Sequence, residues 1–86
     1  SMLCDTEQPI IVIDAMGQPC PMPLLMLKRA LKHSDSARFL LKSSDPHSQQ
    51  DVVRYCQLHQ YSCEASQISA TEFHYVIDVA KPKASQ

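Results

Sequence analysis

The sequence predicts an α+β domain, a two-layer sandwich in which two helices pack on one face of a four-stranded mixed sheet. Two amphipathic helical stretches need an apolar surface to cover, and four apolar or alternating stretches supply the strands. The predicted order along the chain is β-α-β-α-β-β. Because strand-helix-strand units cross over with a right-handed connection, we expect a mixed sheet that closes with a C-terminal hairpin.

The first strand and the first helix are predicted from their apolar patterns. Residues 9–14 (P-I-I-V-I-D) form a continuous, mostly β-branched run, which predicts a strand largely buried on both faces. A helix is predicted over residues 21–33, where Leu24, Leu27 and Leu31 recur at helical spacing.

A second strand is predicted over residues 37–43 (A-R-F-L-L-K-S), followed by a helix that runs to about residue 60. The sequence offers two starts for this helix. In one, Asp45 caps it with Pro46 at the first helical position; in the other, Ser48 caps it with Asp51 three residues later.

The last two strands are predicted over residues 61–69 and 72–80, with a short turn between them. The final strand alternates cleanly, which gives it one apolar and one mixed face. Its apolar positions are Phe73, Tyr75, Ile77 and Val79.

Length and charge limit the classes of function. The 86 residues fit one small domain, predicted over residues 9–80, with flexible tails over 1–8 and 81–86. The net charge of −1 gives no bulk attraction to nucleic acid or to an anionic membrane. Ser1-Met2 resembles an expression scar, and no apolar run could span a bilayer, so a cytoplasmic protein is expected.

Cysteine usage favours free thiols over disulfides or a metal centre. Four cysteines could form two disulfides, but no signal peptide precedes them. No C-x-x-C pair occurs, so neither a zinc ribbon nor a thioredoxin-type pair is supported, and no metal site is predicted. Cys56 lies in the apolar stripe of the second helix, which favours core packing, and Cys63 is either a packing residue or a resolving thiol.

The segment from Gly17 to Pro23 (G-Q-P-C-P-M-P) carries the strongest chemical signal. Pro21 disfavours helical geometry at Cys20 and favours the extended backbone that a helix N-cap requires. Pro21 itself suits the first helical position. We therefore expect Cys20 to be the N-cap, where the positive end of the helix would favour its thiolate. The alternative is a small packing cysteine in a turn that the prolines shape.

This segment resembles the motif of the TusA/SirA-like sulfur-carrier family. The resemblance rests on Gly17-x-x-Cys20-Pro21-x-Pro23 at the entry of an apolar helix, and it extends to the predicted element order. Asp45-Pro46-x-Ser48, which leads to Asp51, also resembles the entry of the family's second helix. The resemblance implies that Cys20 carries sulfur as a persulfide and passes it to another protein. Gly17, Pro21 and Pro23 are then its structural supports.

The same resemblance implies partners rather than a cofactor. They are a sulfur donor protein, either a cysteine desulfurase or a rhodanese-like protein, and a sulfur-acceptor protein. No metal, organic cofactor, direct nucleic-acid contact or membrane contact is expected. Pro19 and Met22 differ from the residues of the family's tRNA-thiolation branch.

The basic residues of the first helix and the role of the fold as a whole leave alternatives open. Lys28, Arg29 and Lys32 are either a solvated face or a docking patch for an acidic partner surface. The alternative to a sulfurtransferase is a non-catalytic protein-binding or redox-sensing regulatory module on the same fold.

Overall fold

A computed structural model describes residues 9–79, and these residues form two helices and four strands in the predicted order. The predicted tails, residues 1–8 and 81–86, lie outside the described residues. The elements are β1 (Ile10–Ala15), α1 (Met22–His33), β2 (Arg38–Ser43), α2 (Ser48–Leu58), β3 (Ser62–Ser69) and β4 (Glu72–Asp78).

The four strands form one mixed sheet in the order β1-β2-β4-β3. β1 and β2 are parallel, in a register that places Ala15 opposite Ser43. β4 is antiparallel to both of its neighbours, β2 and β3. Both helices pack on the same face of this sheet, so the predicted two-layer α+β fold is confirmed.

The core lies between the helices and the alternate strand residues that face them. Phe39, Leu41 and Ile77 are fully buried in the sheet, and Leu27 and Val52 meet them from the two helices. The alternation predicted for the last strand is therefore confirmed, since Phe73, Tyr75 and Ile77 are all buried. Burying each large apolar side chain contributes about 1.5–3 kcal/mol.

The prediction that β1 is buried on both faces was wrong. Ile13 and Ala15 are buried, but Val12 is 52% exposed and Ile10 is 42% exposed. β1 is an edge strand, and both helices cover the same face of the sheet. Its outward-facing residues are therefore exposed to solvent. They are β-branched because such residues suit the extended backbone of a strand, and this holds whether or not another layer covers them.

The observed helix boundaries differ from the predicted ones at three points. α1 begins at Met22, one residue after the predicted start. α2 begins at Ser48, its N-cap is His47, and it ends at Leu58 rather than near residue 60. Gln60 has a φ of 61°, a left-handed conformation that turns the chain toward β3. Within residues 9–79, neither helix is long and apolar enough to cross a membrane.

Candidate functional site

Two loops meet at the carboxyl ends of the parallel strands β1 and β2. The first, residues 16–21, connects β1 to α1, and the second, residues 44–47, connects β2 to α2. Because the two strands are adjacent and in register, both loops leave the same edge of the sheet, and both helices begin there. The predicted sulfur-carrying residue, Cys20, is exposed at this edge.

The first loop leaves β1 through a turn that depends on Gly17. Its φ is 80°, a conformation that side-chain-bearing residues rarely adopt, although an added Cβ would meet no atom within 4 Å. The Gly17 N–H donates to Ser44 Oγ of the second loop at 2.8 Å. Gly17 is therefore needed for backbone geometry rather than for space.

Asp45 holds the backbone of Cys20 in place. The Cys20 N–H donates to Asp45 Oδ2 at 2.6 Å. The Cys20-Pro21 peptide bond is cis, and Pro21 is the N-cap of α1 without a side-chain hydrogen bond. The prediction that Cys20 is the N-cap and Pro21 the first helical residue was therefore wrong by one position. The chain instead forms a turn in which the Met22 N–H donates to Pro19 O at 2.7 Å, and Pro21, with a φ of −99° and a ψ of 17°, lies outside helical geometry.

The sulfur of Cys20 faces a carboxylate, not only a helix end. Cys20 Sγ donates to Asp51 Oδ2 at 3.1 Å, and Asp51 lies in the first turn of α2. This hydrogen bond, together with the negative charges of Asp51 and Asp45, raises the pKa of the Cys20 thiol. The expectation of a lowered pKa at a helix N-terminus was therefore wrong, since the thiol lies beside the Asp51 carboxylate.

Asp45 is held by its own hydrogen bonds in turn. Its Oδ1 accepts the N–H of His47 at 2.9 Å, and its N–H donates to Ser43 Oγ at 3.0 Å. Hydrogen bonds from the N–H groups of His47 and Cys20 lower the pKa of the Asp45 carboxyl. This arrangement is an Asx turn that precedes α2. The N-cap of α2 is His47, which makes no side-chain cap hydrogen bond, so neither predicted cap forms.

A buried hydroxyl pair joins the second loop to the core. Ser48 Oγ donates to Asp45 O at 2.7 Å and lies 2.8 Å from the hydroxyl of Tyr75. Ser48 and Tyr75 are 2% and 1% exposed. The position of Asp45, and through it that of Cys20, is thereby tied to β4.

The two prolines after Cys20 differ in burial. Pro21 is exposed, whereas Pro23 is buried in the first turn of α1. The Pro21 carbonyl accepts the first regular helical hydrogen bond, from the Leu25 N–H, at 3.1 Å. Their role as structural supports stays a prediction; a proline ring restricts φ, and both prolines lie at the entry of α1.

The three predicted docking residues do not point the same way. Lys28 Nζ lies 5.3 Å from the centre of the Tyr55 ring, on the side of α1 that faces α2. Arg29 instead lines a surface cavity of about 360 Å³ with Ile13 and Met26, on the side that faces β1. Lys32 is exposed in the last turn of α1.

Two other cysteines and two histidines among residues 9–79 have partners other than Cys20. Cys56 is buried and shares a hydrogen bond with the half-buried Cys63; this bond and burial raise the pKa of Cys56. His47 and His74 pair with Asp45 and Glu72, respectively. Among residues 9–79, no group of three or more His, Cys, Asp or Glu side chains is arranged to hold a metal ion.

Sequence reasoning found Cys20 but missed its grouping with Asp45 and Asp51. These two carboxylates lie 25 and 31 residues away along the chain. A usable signal was present, since adjacent parallel strands joined by a helix bring the two loops that follow them to one edge.

Comparisons with known proteins agree with this fold. A family model described as "Sulfurtransferase TusA" matches residues 11–79. Among solved structures, the crystal structure of a SirA-like protein from Desulfitobacterium hafniense is similar, with a TM-score of 0.70 and 26% sequence identity. That match covers 79% of this chain and 95% of the other.

Proposed function

The chain belongs to the TusA sulfurtransferase family, and from this membership we propose that it accepts sulfur as a persulfide on Cys20 and relays it to an acceptor protein. A general sulfur-carrier role follows from the family and from the SirA-like fold. The proposal adds the residue, the chemical form of the sulfur and the direction of transfer.

The observation that carries the proposal is the exposure of one fixed thiol. Cys20 is exposed, whereas Cys56 is buried and Cys63 is half-buried. The backbone N–H of Cys20 donates a hydrogen bond to Asp45 of the second loop, and the Cys20 sulfur donates one to Asp51. A sulfur carrier needs a thiol that another protein's sulfur can reach, and within residues 9–79 Cys20 has the most accessible one.

The proposed transfer exchanges one sulfur–sulfur bond for another. The Cys20 sulfur, once it has lost its proton, attacks the outer sulfur of a persulfide on the donor protein. The donor's sulfur–sulfur bond breaks, and its electron pair stays on the donor's cysteine, which leaves as a thiolate and takes up a proton. A new sulfur–sulfur bond forms on Cys20, so there is no net oxidation and the exchange needs no metal or organic cofactor.

We propose that the donor is a cysteine desulfurase or a rhodanese-like protein that docks beside Cys20. Lys28 and Lys32 lie one turn apart on α1 and are both exposed, and Leu25, near the same helix start, is 41% exposed. A basic and apolar surface of this kind suits an acidic partner with an apolar patch. Arg29 faces the β1 side and would belong to the contact only if the partner also reaches that side.

The test is intact-mass spectrometry after incubation with a cysteine desulfurase and cysteine, and in parallel with a rhodanese and thiosulfate. The wild-type chain should gain the mass of one sulfur atom, and a reductant should remove it. Cys20→Ala should show no gain. Cys63→Ala is the matched control, because it removes another thiol and should load like the wild type.

The contrary outcome favours a different class of function. If the wild-type chain gains no sulfur from either donor, or if Cys20→Ala still gains it, the Cys20 mechanism is wrong. A non-catalytic protein-binding or redox-sensing module then becomes the better interpretation. Lys28→Glu tests docking separately: it should slow loading from the desulfurase while leaving loading from a small persulfide, such as glutathione persulfide, unchanged.

A further inference from the structure

We propose that Asp51 controls the proton of Cys20: its carboxylate accepts a hydrogen bond from the thiol and keeps the proton on sulfur. Without a bound partner, Cys20 is then an unreactive thiol at neutral pH. This inference rests on the proposed function, because it concerns how the sulfur-accepting thiol becomes reactive. Asp51 contacts the reacting sulfur directly, and in this scheme it restrains the reactivity of that sulfur.

The geometry around the sulfur supports the assignment. Cys20 Sγ and Asp51 Oδ2 are 3.1 Å apart, well within the range of a thiol–carboxylate hydrogen bond. An ionised carboxylate can only accept, so the proton must be on sulfur for this contact to be favourable. If the thiol ionised, two negative charges would face each other at the same distance.

The two carboxylates of the site have different tasks. Asp45 is occupied by N–H groups, those of Cys20 and His47, and so it fixes the backbone. Asp51 instead accepts its hydrogen bond from the side chain of the first loop, the Cys20 sulfur. Among the described residues, the Cys20 sulfur has no hydrogen bond to a histidine, lysine or arginine that would stabilise a thiolate.

The electrostatics agree in sign with the geometry. The hydrogen bond to Asp51 and the charge of Asp51 both raise the pKa of the Cys20 thiol. A carboxylate is a like charge to a thiolate, and like charges disfavour ionisation. Removing that charge while keeping an oxygen in the same place should therefore release the thiol proton at lower pH.

Asp51→Asn makes this change, because asparagine keeps the shape and an acceptor oxygen but has no charge. The rate of Cys20 alkylation by iodoacetamide is measured against pH, on the Cys63→Ala background, with the site of alkylation confirmed by peptide mass spectrometry. We expect the profile of Asp51→Asn to move to lower pH by about one unit. That shift corresponds to about tenfold faster alkylation near pH 7.

Two further variants separate this effect from simpler ones. Asp51→Glu keeps the charge and should keep a profile near that of the wild type. Asp35→Asn removes an exposed carboxylate in the loop after α1 and changes the net charge equally, so it should leave the profile unchanged. Far-UV circular dichroism establishes that each variant is folded.

Sulfur uptake provides the second readout. With glutathione persulfide as donor at pH 7, Asp51→Asn should gain sulfur about tenfold faster than the wild type. If the wild type gains no sulfur at all, the proposed function fails, whatever the alkylation profiles show. If the wild type gains sulfur but Asp51→Asn and Asp35→Asn have the same profiles as the wild type, the control by Asp51 is refuted and the sulfur carrier stands.

Discussion

The buried hydroxyl pair of Ser48 and Tyr75 allows a quantitative prediction about what holds the second loop. The single hydroxyl proton of Ser48 is donated to Asp45 O, so the Tyr75 hydroxyl must be the donor in its own contact with Ser48 Oγ. Tyr75→Phe therefore removes one hydrogen bond and leaves no buried donor behind. Ser48→Ala removes two and leaves the Tyr75 hydroxyl buried without its partner.

The magnitudes follow from that difference. A net hydrogen bond contributes about 0.5–1.5 kcal/mol, so Tyr75→Phe should lower the free energy of unfolding by about 1 kcal/mol. A buried donor left unpaired costs about 1–3 kcal/mol, and Tyr75 is 1% exposed, so Ser48→Ala should cost about 2–3 kcal/mol. The double variant should cost less than the sum, because phenylalanine removes the orphaned hydroxyl.

Urea denaturation followed by circular dichroism measures all three changes. With an m value of about 1 kcal/mol/M, the midpoint should fall by about 1 M for Tyr75→Phe and by about 2 M or more for Ser48→Ala. Equal losses of stability in Tyr75→Phe and Ser48→Ala, or simple addition of the two losses in the double variant, would contradict the assignment of Tyr75 as the donor.

Three further predictions concern backbone geometry, the core and pH. Gly17→Ala should lower the free energy of unfolding by about 1–2 kcal/mol. The cost comes from the φ of 80° alone, because no atom obstructs the added methyl group; a loss below a few tenths of a kcal/mol in urea denaturation would contradict this. Leu27→Ala, at a fully buried site, should cost about 2–5 kcal/mol, whereas Leu25→Ala, at a 41% exposed site, should cost far less in the same assay. Folding lowers the pKa of the Asp45 carboxyl. The ionised carboxylate therefore contributes to folding stability above its ordinary pKa, and this contribution is lost as the pH falls through its pKa in the folded state. Wild-type stability should therefore decrease more between about pH 5 and pH 3 than that of Asp45→Asn, and equal decreases would count against the Asx turn as a stabilising contact.

The arrangement of elements was predictable because each has a local pattern. The leucine spacing of α1 and the alternation of β4 each identify one element and its buried face without reference to the rest of the chain. The burial of β1 was not predictable in this way. Whether Val12 is covered depends on which layers pack over the sheet, and the residue type is the same in either case.

The chemistry of the site was only half predictable for a related reason. The proline pattern placed Cys20 near a helix start, and it lies there. Whether its thiol ionises easily depends on Asp51, which is 31 residues away along the chain and reaches the sulfur only through the tertiary fold. The residues around Cys20 in the sequence indicate the start of a helix but not the carboxylate, so the predicted direction of the pKa shift was wrong.

The hydrogen bonds that join the first loop to the second loop have a consequence during protein synthesis. Gly17 and Cys20 are held by Ser44 and Asp45, and the sulfur is met by Asp51, all of which emerge from the ribosome after β2 has begun. A nascent chain that has emerged only as far as α1 thus presents Cys20 as an ordinary cysteine on an unfastened loop. The distinctive state of the thiol therefore belongs to the folded domain, and it is absent until α2 has been synthesised and has packed beside the first loop.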